Sequence, residues 1–289
     1  MTDCHRPTDA LLTGLPRSGT TLTCHLLNKL PDSVALHEPM QVAELAALAP
    51  SDMTGRIEAF FAQQRAMIER EGKATSKSNN GSVPSNPWGN PDESGVRRPL
   101  IDGLEIEVRN VTGPDFRLYM KHPAFFTAAL PILAAHFECF AIVRNPLAVL
   151  LSWRNVPLAV GEGWMPAAQR HDRALDAALK AQPSVLERQF ILLDYCFQRY
   201  ADHLPGRTLA YEAIIASRGR SLALVDPRAE RLDEALHSRN GLRLTRDPDA
   251  CDIARRLVDR DSPCWLFYDR AEVEAVASAA AHRSTRTAG

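Results

Sequence analysis

No stretch of this sequence approaches the roughly 20 apolar residues needed to cross a bilayer. Its first ten residues, MTDCHRPTDA, lack the basic-then-apolar order of a secretory leader. A cytoplasmic protein without a membrane span is therefore expected. A surplus of charge of either sign is also missing, because 34 Lys and Arg against 35 Asp and Glu leave a formal net charge of −1. That excludes a broad nucleic-acid footprint and an acidic tail, so an anion site has to be a local cluster. The six cysteines (Cys4, Cys24, Cys139, Cys196, Cys251 and Cys264) form no C-x-x-C or other metal spacing. Free buried thiols in a reducing compartment are expected, with no metal site. No internal repeat stands out.

What is present is an α/β pattern. The 289 residues, 45% hydrophobic, suffice for one large domain spanning 1–289. Ala10 to Leu15 is an apolar run ending in Gly-Leu-Pro, and Thr20 to Leu30 then reads as a helix. Ser33 to Leu36 reads as a strand that stops at His37-Glu38-Pro39. Met53 to Glu71 has helical spacing. From Glu71 to Gly103 the chain is rich in Ser, Asn, Gly and Pro. That predicts a loop at about 72–103 serving as a mobile lid, a substrate loop or a partly disordered segment. Arg117 to His122 reads as a strand, Phe125 to Phe137 as a helix, and Cys139 to Val143 as a fully apolar strand. Pro146 suits the first turn of a further helix. Ser184 and Glu187 have capping-box spacing ahead of a stripe from Leu186 through Phe190, Leu193, Phe197 and Tyr200 to Leu204. Arg207 to Ile214 reads as the last strand. Apolar strands alternating with helices predict a three-layer fold of the P-loop type, a central parallel sheet flanked by helices. Ligands of such sheets bind beyond the carboxyl ends of the strands. The loop after the first strand, Glu38, Lys121-His122 and Arg144 all fall there.

The loop itself, "TGLPRSGTT", has the Gly14 and Gly19 spacing of a nucleotide-binding loop, but Thr20 stands where its lysine would be. Arg17 is the cation instead. A glycine-rich turn at a helix start offers free N–H groups and the positive end of the helix dipole. Ser18, Thr20 and Thr21 add hydroxyl donors, and Arg17 can bind oxygens bidentately. A tight strand-to-helix turn without a ligand is the bland alternative.

"PRSGTT", Pro16 to Thr21, resembles the 5′-phosphosulfate loop of sulfotransferases that use 3′-phosphoadenosine 5′-phosphosulfate (PAPS). "IVRNPLAVLLSW", Ile142 to Trp153, resembles the second signature of that family. The resemblance implies that Arg144 and Ser152 hold the 3′-phosphate. By itself Arg144-Asn145-Pro146 also reads as a strand end with a capping asparagine. "LAYEAII", Leu209 to Ile215, resembles the family's later Tyr-Glu segment and places Tyr211 near the nucleotide. The three occur in the family's order over about Asp9 to Ser217, closest to the bacterial, carbohydrate and tyrosyl-protein branch. The glycine-rich C-terminal segment of cytosolic members is not recognisable. The resemblance implies Pro16, Arg17, Ser18, Gly19, Thr20 and Thr21 at the donor, the product PAP, and a small-molecule, sugar or lipid hydroxyl as acceptor.

Sulfuryl transfer resembles phosphoryl transfer, but the moving group carries less charge, so cationic side chains and backbone donors suffice without Mg²⁺. Lys121 in "YMKHP" is a second rim cation. The acceptor hydroxyl needs a general base. Glu38 in "LHEP" is the first candidate, His122 the second, and His37 a neighbour shaping the charge on Glu38. Trp88, Trp164 and Met165 are candidate acceptor-pocket residues. A kinase-like P-loop protein and a non-catalytic nucleotide-binding relative are the alternatives. The first would need lysine at position 20 and a metal-binding aspartate after an apolar strand.

Overall fold

Strand β1 (Asp9–Gly14) is buried at every position, as a strand covered on both faces has to be. The computed structural model describes residues 9–91, 97–240 and 247–274. After β1 come α1 (Thr20–Leu27), β2 (Ser33–His37), the short α2 (Val42–Leu45) and α3 (Pro50–Glu71). Four strands follow: β3 (Lys73–Ser78), β4 (Trp88–Pro91), β5 (Arg97–Pro99) and β6 (Gly103–Glu107). Then come β7 (Arg117–Lys121), α4 (Pro123–Leu133), β8 (Glu138–Val143) and α5 (Pro146–Trp153). The chain continues through α6 (Pro166–His171), α7 (Arg173–Ala181), α8 (Val185–His203), β9 (Thr208–Ala210), α9 (Tyr211–Ala216) and α10 (Ala250–Val258).

Five strands form one parallel sheet in the order β2-β7-β1-β8-β9. The first strand is central, with β7 and β8 on its two sides, so the connections diverge at its carboxyl end. That is the topological switch point at which α/β sheets open a crevice. Helices cover both faces, giving the three-layer α/β fold. Gly14 (φ 148°) lets β1 and β8 close up there, since a Cβ would stand 2.3 Å from the carbonyl oxygen of Ile142.

Several boundaries differ from the sequence reading for local reasons. Helix α1 ends at Leu27 because the Asn28 amide turns to the backbone of Ala35 in β2, donating to its carbonyl (2.9 Å) and accepting from its N–H (2.6 Å). Helix α4 begins at Pro123 and gives way after Leu133 to shorter-range turns at Ala135 and His136. Strand β9 stops at Ala210, where its neighbour β8 ends at Val143 and leaves no ladder partner. The expected strand to Ile214 is therefore a correction: Tyr211 opens α9. Only half of the capping box forms at α8. The Ser184 hydroxyl accepts from the Glu187 N–H (3.4 Å), but the Glu187 carboxylate pairs with Arg256 and Arg260.

The largest correction concerns 72–103. Instead of a loop, β3 pairs antiparallel with β6, and β4 with β5. Alternation along KATSKS buries Ala74, Ser76 and Ser78, and the Ser76 hydroxyl accepts from the His37 N–H (2.9 Å). Small polar residues packed against a strand give little hydrophobic signal, which hid these strands. Among the described residues no helix is long and apolar enough to cross a membrane. Cys24, Cys139, Cys196 and Cys264 are free and buried, burial pushing each thiol up to about 12, whereas Cys251 is exposed. Cys4 lies outside the described residues.

Candidate functional site

Beyond the carboxyl ends of β1, β2, β7 and β8 lies a cavity of about 640 Å³. Pro16, Arg17, Gly19, Thr20, Thr21, Glu38, Lys121, His122, Arg144, Ser152 and Tyr211 all line it. Residues separated by almost 200 positions are thereby brought together. Ser18 departs from the expectation. It is fully buried, its hydroxyl donates to the Ile142 carbonyl (2.7 Å) and its N–H to the Leu15 carbonyl (3.0 Å). Its proton is committed to pinning the loop onto β8, so it offers no hydroxyl to a ligand.

The loop is shaped from both ends. Arg17 (φ 74°) and Gly19 (φ 98°) take left-handed conformations. At Gly19 a Cβ would meet the Tyr211 ring at 2.7 Å, so glycine keeps the mouth of α1 open beside that ring. The first N–H groups of α1 have no intrahelical acceptor. The indole of Trp153 in α5 donates to the Pro16 carbonyl (2.7 Å), and the Arg17 Nε donates to the Ser152 hydroxyl (3.4 Å). Arg144 donates to the Arg17 carbonyl (3.1 Å) and to the Asn240 side-chain oxygen (2.8 Å), with its guanidinium 4.8 Å from the centre of the Tyr211 ring. Arg144, just ahead of α5, and Ser152, near its end, are thus both bonded to Arg17. Glu212 ties this end together, accepting from the Asn145 N–H (3.0 Å), the Asn240 amide (2.6 Å) and the Tyr268 hydroxyl (2.9 Å).

At the other end Glu38 also has a left-handed backbone (φ 47°). A non-glycine residue in that region costs on the order of 1 kcal/mol or more, and such residues cluster at functional sites. The Glu38 carboxylate accepts from Lys121 Nζ (2.9 Å) and Lys77 Nζ (2.6 Å), and His37 Nε2 stands 3.6 Å away. Buried Lys121 also reaches the Thr21 hydroxyl (3.4 Å), so one ammonium joins the start of α1 to the carboxylate. Burial alone would raise the Glu38 carboxyl. Lys121, then His37 and Lys77, reverse this and hold it well below the usual carboxylate range.

Burial, which the cations override at Glu38, favours the neutral form of the two histidines. Burial first, then Lys121, lowers His37 to about 4. Burial lowers His122 to about 3 against the opposing pull of Glu38. His122 Nε2 accepts from the Met40 N–H (3.1 Å), which engages the lone pair that a general base at that nitrogen would use. Among the described residues, buried His37 Nδ1 has no hydrogen-bond partner.

A stability prediction follows from these shifts. Both histidines take up protons in the unfolded chain near pH 6.5 but resist doing so when folded. Their contribution is fully present above about pH 6.5. It is expected to fall as pH drops toward 4 and then 3, where His37 and His122 titrate in the folded state. Urea midpoints measured from pH 7 to pH 4 should decline, and less steeply in His122→Gln. Equal slopes for the two proteins would contradict the buried neutral His122.

Lys77, Trp88, Arg97, His237, Arg239 and Asn240 also line the cavity, and sequence reasoning missed all but Trp88. Lys77 belongs to strand β3, whose buried face of Ala74, Ser76 and Ser78 is too small and polar to give a hydrophobic signal. No sequence signal marked His237 to Asn240. Trp164 and Met165 do not line the cavity: Arg188 lies over the Trp164 ring at 4.4 Å, and Met165 is buried in the core. Among the described residues no group of three or more His, Cys, Asp or Glu is arranged to hold a metal ion.

No family model matches the chain and no curated protein is similar to it. Among solved structures, a sulfotransferase from Mycobacterium tuberculosis is similar at 16% identity and a TM-score of 0.33, covering 94% of this chain and 76% of that one. A likeness this loose carries no functional weight, and the site has to be read from its own geometry.

Proposed function

We propose that this protein transfers a sulfuryl group from PAPS to a hydroxyl of a small-molecule acceptor, releasing PAP, as one 289-residue cytoplasmic unit needing no metal. The observation that carries the reading is a single cavity with three parts in contact. They are a glycine-opened loop with Arg17, an Arg144–Ser152 pair bonded to that arginine, and a Lys121–Glu38 pair bonded to Thr21. The residues present fit the donor. The Gly19 cradle is one that a Cβ would fill, and the guanidinium groups suit two separate phosphates. Gly19, Thr20 and Thr21 surround the 5′ end through their N–H groups and the two threonine hydroxyls, with Pro16 shaping the turn beside them. Arg144, Ser152 and Tyr211 take the 3′ end.

In this reading Arg17 and the loop N–H groups neutralise charge on the 5′-phosphate oxygen as its bond to sulfur breaks. Lys121 serves the same oxygen from the acceptor side. As the acceptor oxygen bonds to sulfur, its proton becomes strongly acidic, so even the depressed Glu38 carboxylate is able to receive it. His122, with Nε2 engaged by Met40, holds the segment after Glu38 and does not act as base.

PAP is expected to stabilise the protein against heat. At about 100 times its Kd the gain is roughly 2.7 kcal/mol, and EDTA should leave it unchanged. A protein stabilised only by ATP with Mg²⁺ would instead be a kinase-like nucleotide-binding protein.

A further inference from the structure

Glu38 takes its two ammonium partners from different strands. Lys121 of β7 meets one carboxylate oxygen at 2.9 Å, and Lys77 of β3 meets the other at 2.6 Å. Buried Lys121 also reaches the Thr21 hydroxyl at the start of α1 (3.4 Å). Lys77 stands on a strand outside the parallel sheet, and that strand is fixed where it approaches the carboxylate. Buried Gln64 of α3 accepts from the Thr75 N–H (2.7 Å) and donates to the Thr75 hydroxyl (3.2 Å). One residue on, the Ser76 hydroxyl accepts from the His37 N–H (2.9 Å). The next residue of each chain is then Lys77 and Glu38, and they meet where Glu38 leaves β2 with its left-handed backbone.

Charge explains why one lysine does not suffice. Glu38 is the only acidic side chain lining the cavity among the described residues, and PAPS brings further negative charge to the loop beside Lys121. Once the donor is bound, two anions share the Lys121 ammonium, and its hold on Glu38 weakens. Burial then favours the protonated carboxyl, which is unable to receive the acceptor's proton. The other titratable groups facing Glu38 bring no charge near neutral pH. His37 beside it and His122 after β7 are neutral, and the buried Cys24 thiol of α1 stays protonated. Among the groups facing Glu38, Lys77 is the cation left to it.

Resting on the sulfuryl-transfer reading, we infer that Lys77 is a positioning residue, which keeps the Glu38 carboxylate ionised and oriented while Lys121 serves the donor. It acts through Glu38 and touches no reacting atom.

The full-length protein is titrated with PAP by calorimetry at pH 6 in two buffers of different ionisation enthalpy, which counts the protons taken up on binding. The phosphates of PAP contribute to every variant alike, so the comparison with wild type carries the result. A partly exposed ion pair adds little to stability, so Lys77→Met should melt as the wild type does. On binding PAP it should take up more protons than the wild type, approaching about one per PAP, and Lys77→Arg should not. The excess should vanish in the double variant Lys77→Met, Glu38→Gln; an excess that survives there belongs to another group and would overturn the inference. Lys73→Met removes a lysine of the same strand that pairs with Glu105 (2.7 Å), and it should match the wild type. An equal excess in Lys73→Met would make the effect one of overall charge and also overturn the inference. The Kd for PAP should change by no more than a few-fold in Lys77→Met. A loss of about thirty-fold, as expected for Arg17→Ala, would make Lys77 a contact of the donor instead. Proton uptake unchanged in Lys77→Met would show that Lys121 suffices, and would overturn the role of Lys77 while leaving the donor site standing. Failure of the wild type to bind PAP at all would overturn the underlying reading and this inference with it.

Discussion

Replacing Glu38 by glutamine is expected to lower turnover by about 10²–10⁴-fold, the usual range for loss of a general base, with PAP affinity little changed. Glutamine keeps the size of the side chain and one acceptor oxygen but loses the ability to take the acceptor's proton. It also leaves buried Lys121 without its carboxylate partner, so part of any loss of stability belongs to an uncompensated ammonium. Steady-state kinetics should therefore be accompanied by PAP titration, which reports whether the site still assembles. His122→Gln preserves an acceptor for the Met40 N–H and should do less damage. A fully active Glu38→Gln beside an inactive His122→Gln would move the base to His122 while leaving the sulfuryl-transfer reading intact.

Arg17→Ala should weaken PAP by about 2 kcal/mol or more, the value of a charge-assisted hydrogen bond, which is roughly thirty-fold in Kd. It should weaken 5′-AMP similarly, because both nucleotides place a 5′-phosphate in the loop. Arg144→Ala makes the opposite contrast. If its guanidinium reads the 3′-phosphate, PAP should lose affinity and 5′-AMP should not. Ser152→Ala should follow Arg144→Ala with a smaller effect. Arg144 also holds the Arg17 carbonyl, so an equal loss for both nucleotides would mean that it supports the loop and does not read the phosphate. Competition calorimetry with the two nucleotides distinguishes these outcomes.

How much of this was legible in the sequence depended on how much signal each element needs. Strands β1, β2, β7 and β8 were readable because a strand covered on both faces is largely apolar, as β8 is from Cys139 to Val143, whereas half-buried β9 was carried too far, into α9. Once that sheet was inferred, its carboxyl rim followed, and with it the grouping of Arg17, Glu38, Lys121 and Arg144. The small strands at 73–107 were not readable. They bury Ser76 against β2 and Ser78 beside Gly103 of β6, and composition there looks like that of a loop. Lys77 was missed with them, and so were Pro99 and Ile101 of the cavity lining. Ser18 looked equivalent to Thr20 and Thr21, but the direction of its hydroxyl is set by the approach of β8, a contact 124 residues away. Asn240 and Arg239 reach the cavity through Glu212 and the Tyr211 hydroxyl, again a tertiary arrangement without a local pattern.

A crystal structure of the protein soaked with PAP tests the central claim most directly. The 5′-phosphate is predicted to sit against the N–H groups of Gly19 and Thr20 with Arg17 on one side, and the 3′-phosphate against Arg144 and Ser152. The Glu38 carboxylate should face the position vacated by the sulfuryl group. PAP bound with its two phosphates exchanged, or bound away from the loop between Pro16 and Thr21, would contradict the account.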